Sequence, residues 1–289
     1  MSMRNLVAAA GVMVFVLAAC VTKDSRTQIT IALASETAVP TELDRLQVRV
    51  MDAKGSVTYL NDYDVVDPTF FPTTLAVIPA DEESFDGPVR IELLGYGANG
   101  GVRLQRTAIL AYSRGRNLLL PMPLRMACVN FQECGANRTC RGGQCVNATV
   151  EASALRDYSG DQVFAGREGP CFDEAACVAL STQVGVDADC TFAMPSDGNV
   201  GLVWAAAPTR LLVLEPGDPE EGWSRMEGGR GLLSPGACLS LLDPEVDPAK
   251  RQVPDRALAL RISSACSAKP ADVPFCVAPD GHSGIGAPL

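Results

Sequence analysis

One short segment of this chain combines an aromatic side chain with several carboxylates, residue types that often line sugar-binding sites. Asp218, Glu220 and Glu221 all lie within five residues of Trp223. Two carboxylates at a suitable separation would also serve glycoside hydrolysis. Alternatively, Trp223 packs a loop onto its own core, because aromatic side chains dominate core burial. We keep both hypotheses: Trp223, Glu220 and Glu221 as ligand contacts, or Trp223 as a core residue.

Nucleophilic catalysis finds little support in the residue types. The single histidine, His282, lies seven residues from the end of the sequence in a Gly- and Pro-rich stretch. A Ser–His–Asp triad needs its imidazole on a rigid scaffold. The neighbouring G-H-S-G segment departs from the G-x-S-x-G nucleophile elbow, because Ile285 stands where the second glycine belongs. We therefore predict a protein that is not an enzyme and has no catalytic residue.

The sequence also gives little support for a metal site. Asp243, Glu245 and Asp247 alternate as in a calcium loop, but Pro248 and Pro254 occupy the positions where an EF-hand needs Gly and Glu. One histidine is too few for the usual His-rich zinc or iron sites. The sequence predicts no metal and no cofactor.

Four of the eleven cysteines form a compact group with C-x5-C-x5-C-x4-C spacing: Cys128, Cys134, Cys140 and Cys145. Structural zinc sites generally use closer C-x2–4-C pairs, so disulfides are favoured over zinc. Four cysteines allow three pairings. By analogy with small cysteine knots, we favour Cys128–Cys140 together with Cys134–Cys145.

Six more cysteines follow in the C-terminal part of the chain, where fifteen pairings are open. No C-x-x-C occurs, which favours structural bridges over redox chemistry. Our hypotheses for these bridges are Cys171–Cys177, Cys190–Cys238 and Cys266–Cys276.

The start of the chain reads as an export signal. Arg4 precedes an apolar run, 6–19, that ends in Leu-Ala-Ala and then Cys20. The run is shorter than the ~20 residues that a transmembrane helix needs. The segment resembles the lipobox of bacterial lipoproteins, which implies cleavage before Cys20 and acylation of its thiol and amine. A secretory signal with an incidental cysteine is the alternative. Lipidation of Cys20 leaves ten cysteines, an even number that suits disulfides outside the cytoplasm.

Composition narrows the function classes. The net charge is −10 and no basic tract occurs, so nucleic acid is excluded as a partner, because its binding depends on Lys and Arg. The acyl chains, not a polybasic patch, would hold the protein to its membrane. An apolar content of 47% is ordinary for a globular protein with a packed core.

Alternation of apolar and polar residues predicts seven short strands in the N-terminal half. Asn99-Gly100 adds a strong hairpin signal between two of them. This pattern predicts an antiparallel sandwich of immunoglobulin-like or transthyretin-like type. The strands are predicted at 28–33, 46–51, 57–61, 74–78, 89–94, 102–111 and 117–124.

The C-terminal half is predicted to be a second β-rich domain held by disulfides. Its strands are expected at 200–205, 210–214 and 257–262, with a short helix at 173–180. The predicted order of parts is a signal peptide at 1–19, a lipidated tether at 20–27, a sandwich at 28–126, a Cys-rich knot at 127–146, a linker at 147–170, the second domain at 171–277 and a flexible tail at 278–289.

Several segments together resemble predicted cell-surface lipoproteins of myxobacteria and their relatives. The resemblance covers most of the chain and implies an architecture and a location, but it carries over no catalytic residue. The segments are the lipobox at 17–20, T-A-V-P-T-E-L-D-R-L-Q-V-R-V at 37–50, C-G-A-N-R-T-C-R-G-G-Q-C at 134–145, C-F-D-E-A-A-C at 171–177, P-E-E-G-W at 219–223 and L-S-P-G-A-C at 233–238.

The sequence therefore predicts a non-enzymatic, membrane-anchored lipoprotein of the bacterial cell envelope that acts as a binding or structural module. Its expected partners are the membrane, through the acyl chains, and an envelope protein or polysaccharide. Val21, rather than Asp, follows Cys20, which favours the outer membrane over retention in the inner one. The alternatives are a carbohydrate-binding or hydrolytic surface lipoprotein that uses Trp223, and a pure spacer.

Overall fold

The computed structural model describes residues 26–37, 39–67, 70–130, 134–160, 163, 172, 177, 181–194, 198–204, 210–218, 222–242 and 257–265. Strands dominate this part of the chain, which confirms the predicted all-β class. The N-terminal strands are β1 Gln28–Leu33, β2 Arg45–Met51, β3 Val57–Asp64, β4 Thr73–Val77, β5 Val89–Tyr96, β6 Val102–Leu110, β7 Asn117–Pro121, β8 Arg138–Arg141 and β9 Gln144–Asn147. The C-terminal elements are β10 Thr182–Val184, β11 Thr191–Ala193, β12 Asn199–Trp204, β13 Arg210–Leu214, β14 Trp223–Met226, β15 Arg230–Leu233, the helix α1 Pro235–Leu242 and β16 Ala257–Ser263.

The first seven strands form the predicted sandwich of two sheets, ordered β3-β2-β5-β6 and β4-β1-β7. All seven predicted strands are present. The period-2 alternation that predicted them places one side of each inner strand in the core. Along β2, for example, Leu46, Val48 and Val50 are buried, whereas the residues between them are partly exposed.

The strand order of the sandwich differs from that of an immunoglobulin domain. β1 pairs antiparallel with β4 and parallel with β7, and β2 lies between β3 and β5. In an immunoglobulin sandwich the first strand pairs with the second, which is not the pairing seen here. The parallel β1–β7 pair is an exception to the predicted antiparallel order.

The predicted hairpin joins β5 to β6. Gly97 N donates to Gly101 O at 3.1 Å and Gly100 N donates to Gly97 O at 2.7 Å. Gly100 has a φ of +75°, a left-handed conformation that glycine adopts without steric cost. The Asn-Gly signal therefore identified this turn correctly.

The Cys-rich knot contains Cys128–Cys140 and Cys134–Cys145, the pairing favoured by analogy. All four sulfurs are consumed by disulfides, and β8 and β9 form a hairpin around them. The knot packs against β6 of the sandwich. Arg106 Nη1 donates to Cys140 O at 2.8 Å, and Thr139 Oγ1 accepts a hydrogen bond from Thr107 N at 2.9 Å.

The first part of the predicted linker at 147–170 packs against the sandwich. Residues 148–158, which we call the strap, lie along the sandwich. Val150 N donates to Ile109 O at 2.8 Å, and Tyr158 N donates to the carbonyl of the first residue of β7 at 2.7 Å. Small polar residues suggested a free linker, but the backbone of the strap satisfies the edges of β6 and β7, which would otherwise be unpaired.

The C-terminal part is β-rich, as predicted, and contains a four-stranded sheet, β10-β16-β12-β13, and a three-stranded sheet, β11-β15-β14. The three predicted strands are present as β12, β13 and β16, and Cys190–Cys238 is confirmed. The sequence missed the three- and four-residue strands and α1, because such short elements carry little periodic signal. Cys171, Cys266, Cys276 and most of the predicted helix at 173–180 lie outside the described residues.

One hydrophobic core runs through all three parts rather than stopping at the predicted boundaries. It continues from the sandwich through Cys128 to Phe192 in the C-terminal part. Arg125 adds a polar link, because its guanidinium lies 2.6 Å from a carboxylate oxygen of Glu36 and 3.3 Å from one of Asp218. In the described part of the chain, no helix is long and apolar enough to cross a membrane.

Candidate functional site

Trp223 does not present its ring to a ligand. Only 4% of this residue is exposed, and its indole packs edge-on against Phe192 with ring centroids 6.4 Å apart. Asp218 lies in an ion pair with Arg125, while Glu220 and Glu221 lie outside the described residues. Trp223 therefore lies in the core, as the second hypothesis expected, and ligand contact through Glu220 and Glu221 stays a prediction.

Cys20, His282 and the acidic run at 243–247 lie outside the described residues, as does the signal peptide. Within the described ranges, no three His, Cys, Asp or Glu side chains are grouped closely enough to hold a metal ion. Candidate chemistry must therefore come from elsewhere on the surface.

The sandwich opens between its two sheets into a groove of about 420 Å³. We call it the β3–β4 groove, because those strands form the edges of the two sheets beside it. Its size falls in the range of small-ligand and side-chain pockets. The apolar residues that line it include Val50, Tyr59, Leu75, Val77, Ile78, Pro79, Pro88, Val89 and Tyr112.

The mouth of the groove is acidic. Asp52, Asp81 and Glu83 line it together with a single cation, Lys54. Lys54 Nζ lies 3.2 Å from Glu83 Oε2, and this hydrogen bond raises the pKa of Lys54. Three carboxylates against one ammonium leave the mouth negative, so it favours a positively charged ligand.

Local hydrogen bonds hold these acidic residues in place. Asp52 Oδ1 accepts from Lys54 N at 2.9 Å and from Ser56 N at 2.8 Å, which closes the β2–β3 turn. Asp81 caps a 3-10 helix, Glu82–Phe85, by accepting from Ser84 N at 2.9 Å. The carboxylates therefore belong to ordered turns on either side of the mouth.

β3 is unusual among the strands of the sandwich because it is exposed along most of its eight residues. Val57 and Leu60 are each 53% exposed, and Ile78, at the mouth, is 64% exposed. Natural sheet edges are normally protected by charges, Pro, bulges or a covering segment. The charges of β3 lie only near its C-terminal end, so the exposed apolar side chains beside the groove make this edge a candidate interaction surface.

Three tyrosines place hydroxyl groups in or beside the groove. Tyr59 and Tyr63 share a hydrogen bond of 2.5 Å between their hydroxyls, which raises the pKa of Tyr59. Burial raises the pKa of Tyr112 to about 12. Like an ordinary tyrosine, Tyr112 is protonated at neutral pH, and its hydroxyl can donate a hydrogen bond from a largely apolar wall.

The opposite face of the same sheet is polar and internally paired. Glu92 lies between Arg90, at 2.7 Å, and Arg49, at 3.4 Å. The guanidinium of Arg45 stacks 3.9 Å above the Tyr96 ring. These charges are paired with one another, and Leu60, opposite Arg49 in the β2–β3 register, adds an exposed apolar side chain to this face.

Sequence reasoning missed the groove although it predicted the strands that form it. The strand at 57–61 was expected, but a strand pattern does not say whether a neighbour covers it. Asp62 and Asp64 could have indicated that this strand is an edge, because charges near the end of a strand are typical of sheet edges.

Comparison of the chain with protein-family models, with curated proteins and with solved structures gives no match.

Proposed function

We propose that this chain is a non-enzymatic, lipid-anchored protein of the bacterial cell envelope that binds another envelope component through the β3–β4 groove. The observation that carries the binding role is the groove itself, with an exposed apolar edge strand beside it and an acidic mouth. The lipobox-like segment that ends at Cys20 supports the anchor, and the disulfides suit an exported protein.

The groove lies at the end of the sandwich where the chain enters from the N-terminus. Thr27 Oγ1 accepts a hydrogen bond from Gly115 N at 2.8 Å, and the adjacent Arg114 reaches Glu82 beside the mouth at 2.9 Å. Seven peptide steps connect Cys20 to Thr27, a reach of at most about 25 Å when fully extended. An acylated Cys20 therefore keeps the groove close to the membrane surface, where a membrane-associated partner would be met.

Replacing Cys20 with serine is expected to remove the anchor. The wild-type protein, with Cys20 acylated, should fractionate with membranes. The Cys20→Ser protein should appear in the soluble or secreted fraction, because serine has no thiol to acylate. Cell fractionation with immunoblotting measures this directly. A Cys20→Ser protein that stays with the membrane fraction would contradict the lipid anchor.

A photo-crosslinking amino acid at Ile78 tests the binding role of the groove in living cells. We expect a discrete, saturable adduct from this position, since Ile78 lies at the mouth and is exposed. The matched control is Met226, which is 42% exposed but lies on β14 in the C-terminal part. Equal labelling from both positions, or none from Ile78, would count against the groove as the binding site.

The carbohydrate-binding alternative loses its central residue, because Trp223 is buried.

A further inference from the structure

We propose that the occupant of the β3–β4 groove is an extended segment of a partner protein that adds to β3 as a further strand, with alternating apolar side chains and basic residues at its ends. The proposal rests on the proposed function and defines the chemistry of the partner.

The backbone of β3 supplies the first part of the argument. β3 pairs with β2 on one side, and among the described residues no strand pairs with its other side. An edge strand presents a row of N–H and C=O groups along its outer side, and an extended peptide can satisfy them by strand addition. No Pro or Lys interrupts the strand, V-T-Y-L-N-D-Y-D. The register with β2 is regular from Tyr59 to Asp64.

Side chains on both faces of β3 define where the partner's apolar residues would go. Tyr59 lines the groove, and Leu60, the next residue, lies on the opposite face because side chains alternate along a strand. An added strand would place every second side chain over the groove beside Tyr59 and the others beside Leu60. Burial of Val57, Leu60 and Ile78, each more than half exposed, would favour apolar side chains in the partner.

The acidic residues around the site favour basic residues at the two ends of the partner segment. Asp52, Asp81 and Glu83 surround one end of the site, and Asp62 and Asp64 lie at the other end of β3. The cations near these carboxylates are Lys54, Arg45 and Arg114, and each is already in an ion pair. Lysine or arginine at both ends of the partner strand is therefore complementary, whereas an acidic strand or an anionic lipid headgroup is repelled. A second copy of this chain is disfavoured as the partner, because its own acidic mouth would repel this one.

The test uses the purified mature protein in neutral detergent and a synthetic peptide, Lys-Val-Thr-Val-Thr-Val-Lys, as the probe. Binding is measured by titration calorimetry. Two matched peptides isolate the proposed contacts: one carries Glu at both ends, and the other carries N-methyl groups on alternate amides, which removes strand-pairing donors. We expect each to bind at least ~10-fold more weakly than the Lys-ended peptide.

A protein variant makes the site assignment specific. Leu60→Lys places a cation on the exposed side of β3 and should weaken binding of the Lys-ended peptide at least ~10-fold. Met226→Lys introduces the same charge on an exposed residue of β14 and should leave binding unchanged. Both positions are exposed, so both variants should keep the fold, which circular dichroism checks.

Several outcomes would overturn the proposal. These are no binding of the Lys-ended peptide, equal binding by Leu60→Lys and Met226→Lys, or no effect of N-methylation. A dimer that Leu60→Lys converts to monomer would make a second copy the occupant and would also overturn it. If the Ile78 adduct still forms while the peptide fails, strand addition is wrong and the proposed function stands. If both fail, the groove is not a binding site.

Discussion

Replacing both Cys190 and Cys238 with alanine is expected to lower the free energy of unfolding by about 4 kcal/mol. The two residues are 48 positions apart, and opening so long a loop restores much conformational freedom to the unfolded chain. In the folded state the bridge ties α1 to the three-stranded sheet, because Cys238 lies in α1 and Cys190 O accepts a hydrogen bond from Leu233 N at 3.0 Å.

Chemical denaturation of the two proteins, followed by circular dichroism, measures the difference. The matched control is the Cys134→Ala and Cys145→Ala double variant, whose disulfide spans only 11 positions. Its expected cost is roughly 3 kcal/mol, about 1 kcal/mol less than that of the long loop. A larger loss from the short loop than from the long one would contradict the loop-entropy explanation.

Replacing Arg125 with methionine is expected to cost about 3–5 kcal/mol, because it leaves a buried carboxylate without its charged partner. Glu36 is only 3% exposed, and its Oε1 lies 2.6 Å from Arg125 Nη1. The same guanidinium reaches Asp218 at 3.3 Å, so the substitution also removes a link between the sandwich and the C-terminal part. Chemical denaturation measures the loss in free energy of unfolding from the midpoint and slope of the unfolding transition.

Two further variants test whether the stability lost in Arg125→Met comes from the buried, uncompensated charge of Glu36. Arg114→Met breaks an ion pair with Glu82 in which both side chains are more than 60% exposed, and it should cost less than about 1 kcal/mol. Combining Arg125→Met with Glu36→Gln removes both charges of the buried pair and should recover more than half of the lost stability. If the combination is no more stable than Arg125→Met alone, the buried carboxylate is not the cause.

Local pattern was enough to predict most of the sandwich. Strand alternation along β2 and β5, and the Asn-Gly turn before β6, depend on side chains only a few residues apart. The spacing of the knot cysteines indicated disulfides, and the analogy with small knots selected the pairing that the structure contains. The strap and the short C-terminal strands escaped prediction, because their structure depends on partners that are distant in sequence.

The amino-acid sequence by itself determined the composition, the cysteine number, the lipobox-like segment at Cys20 and the period-2 pattern of the main strands. Tertiary structure alone decided which strands became edges, and so where the β3–β4 groove opens. It also decided that Trp223 is buried against Phe192, 31 positions away in sequence. Burial and edge position follow from which elements meet in space, and a linear pattern of side chains does not contain that information.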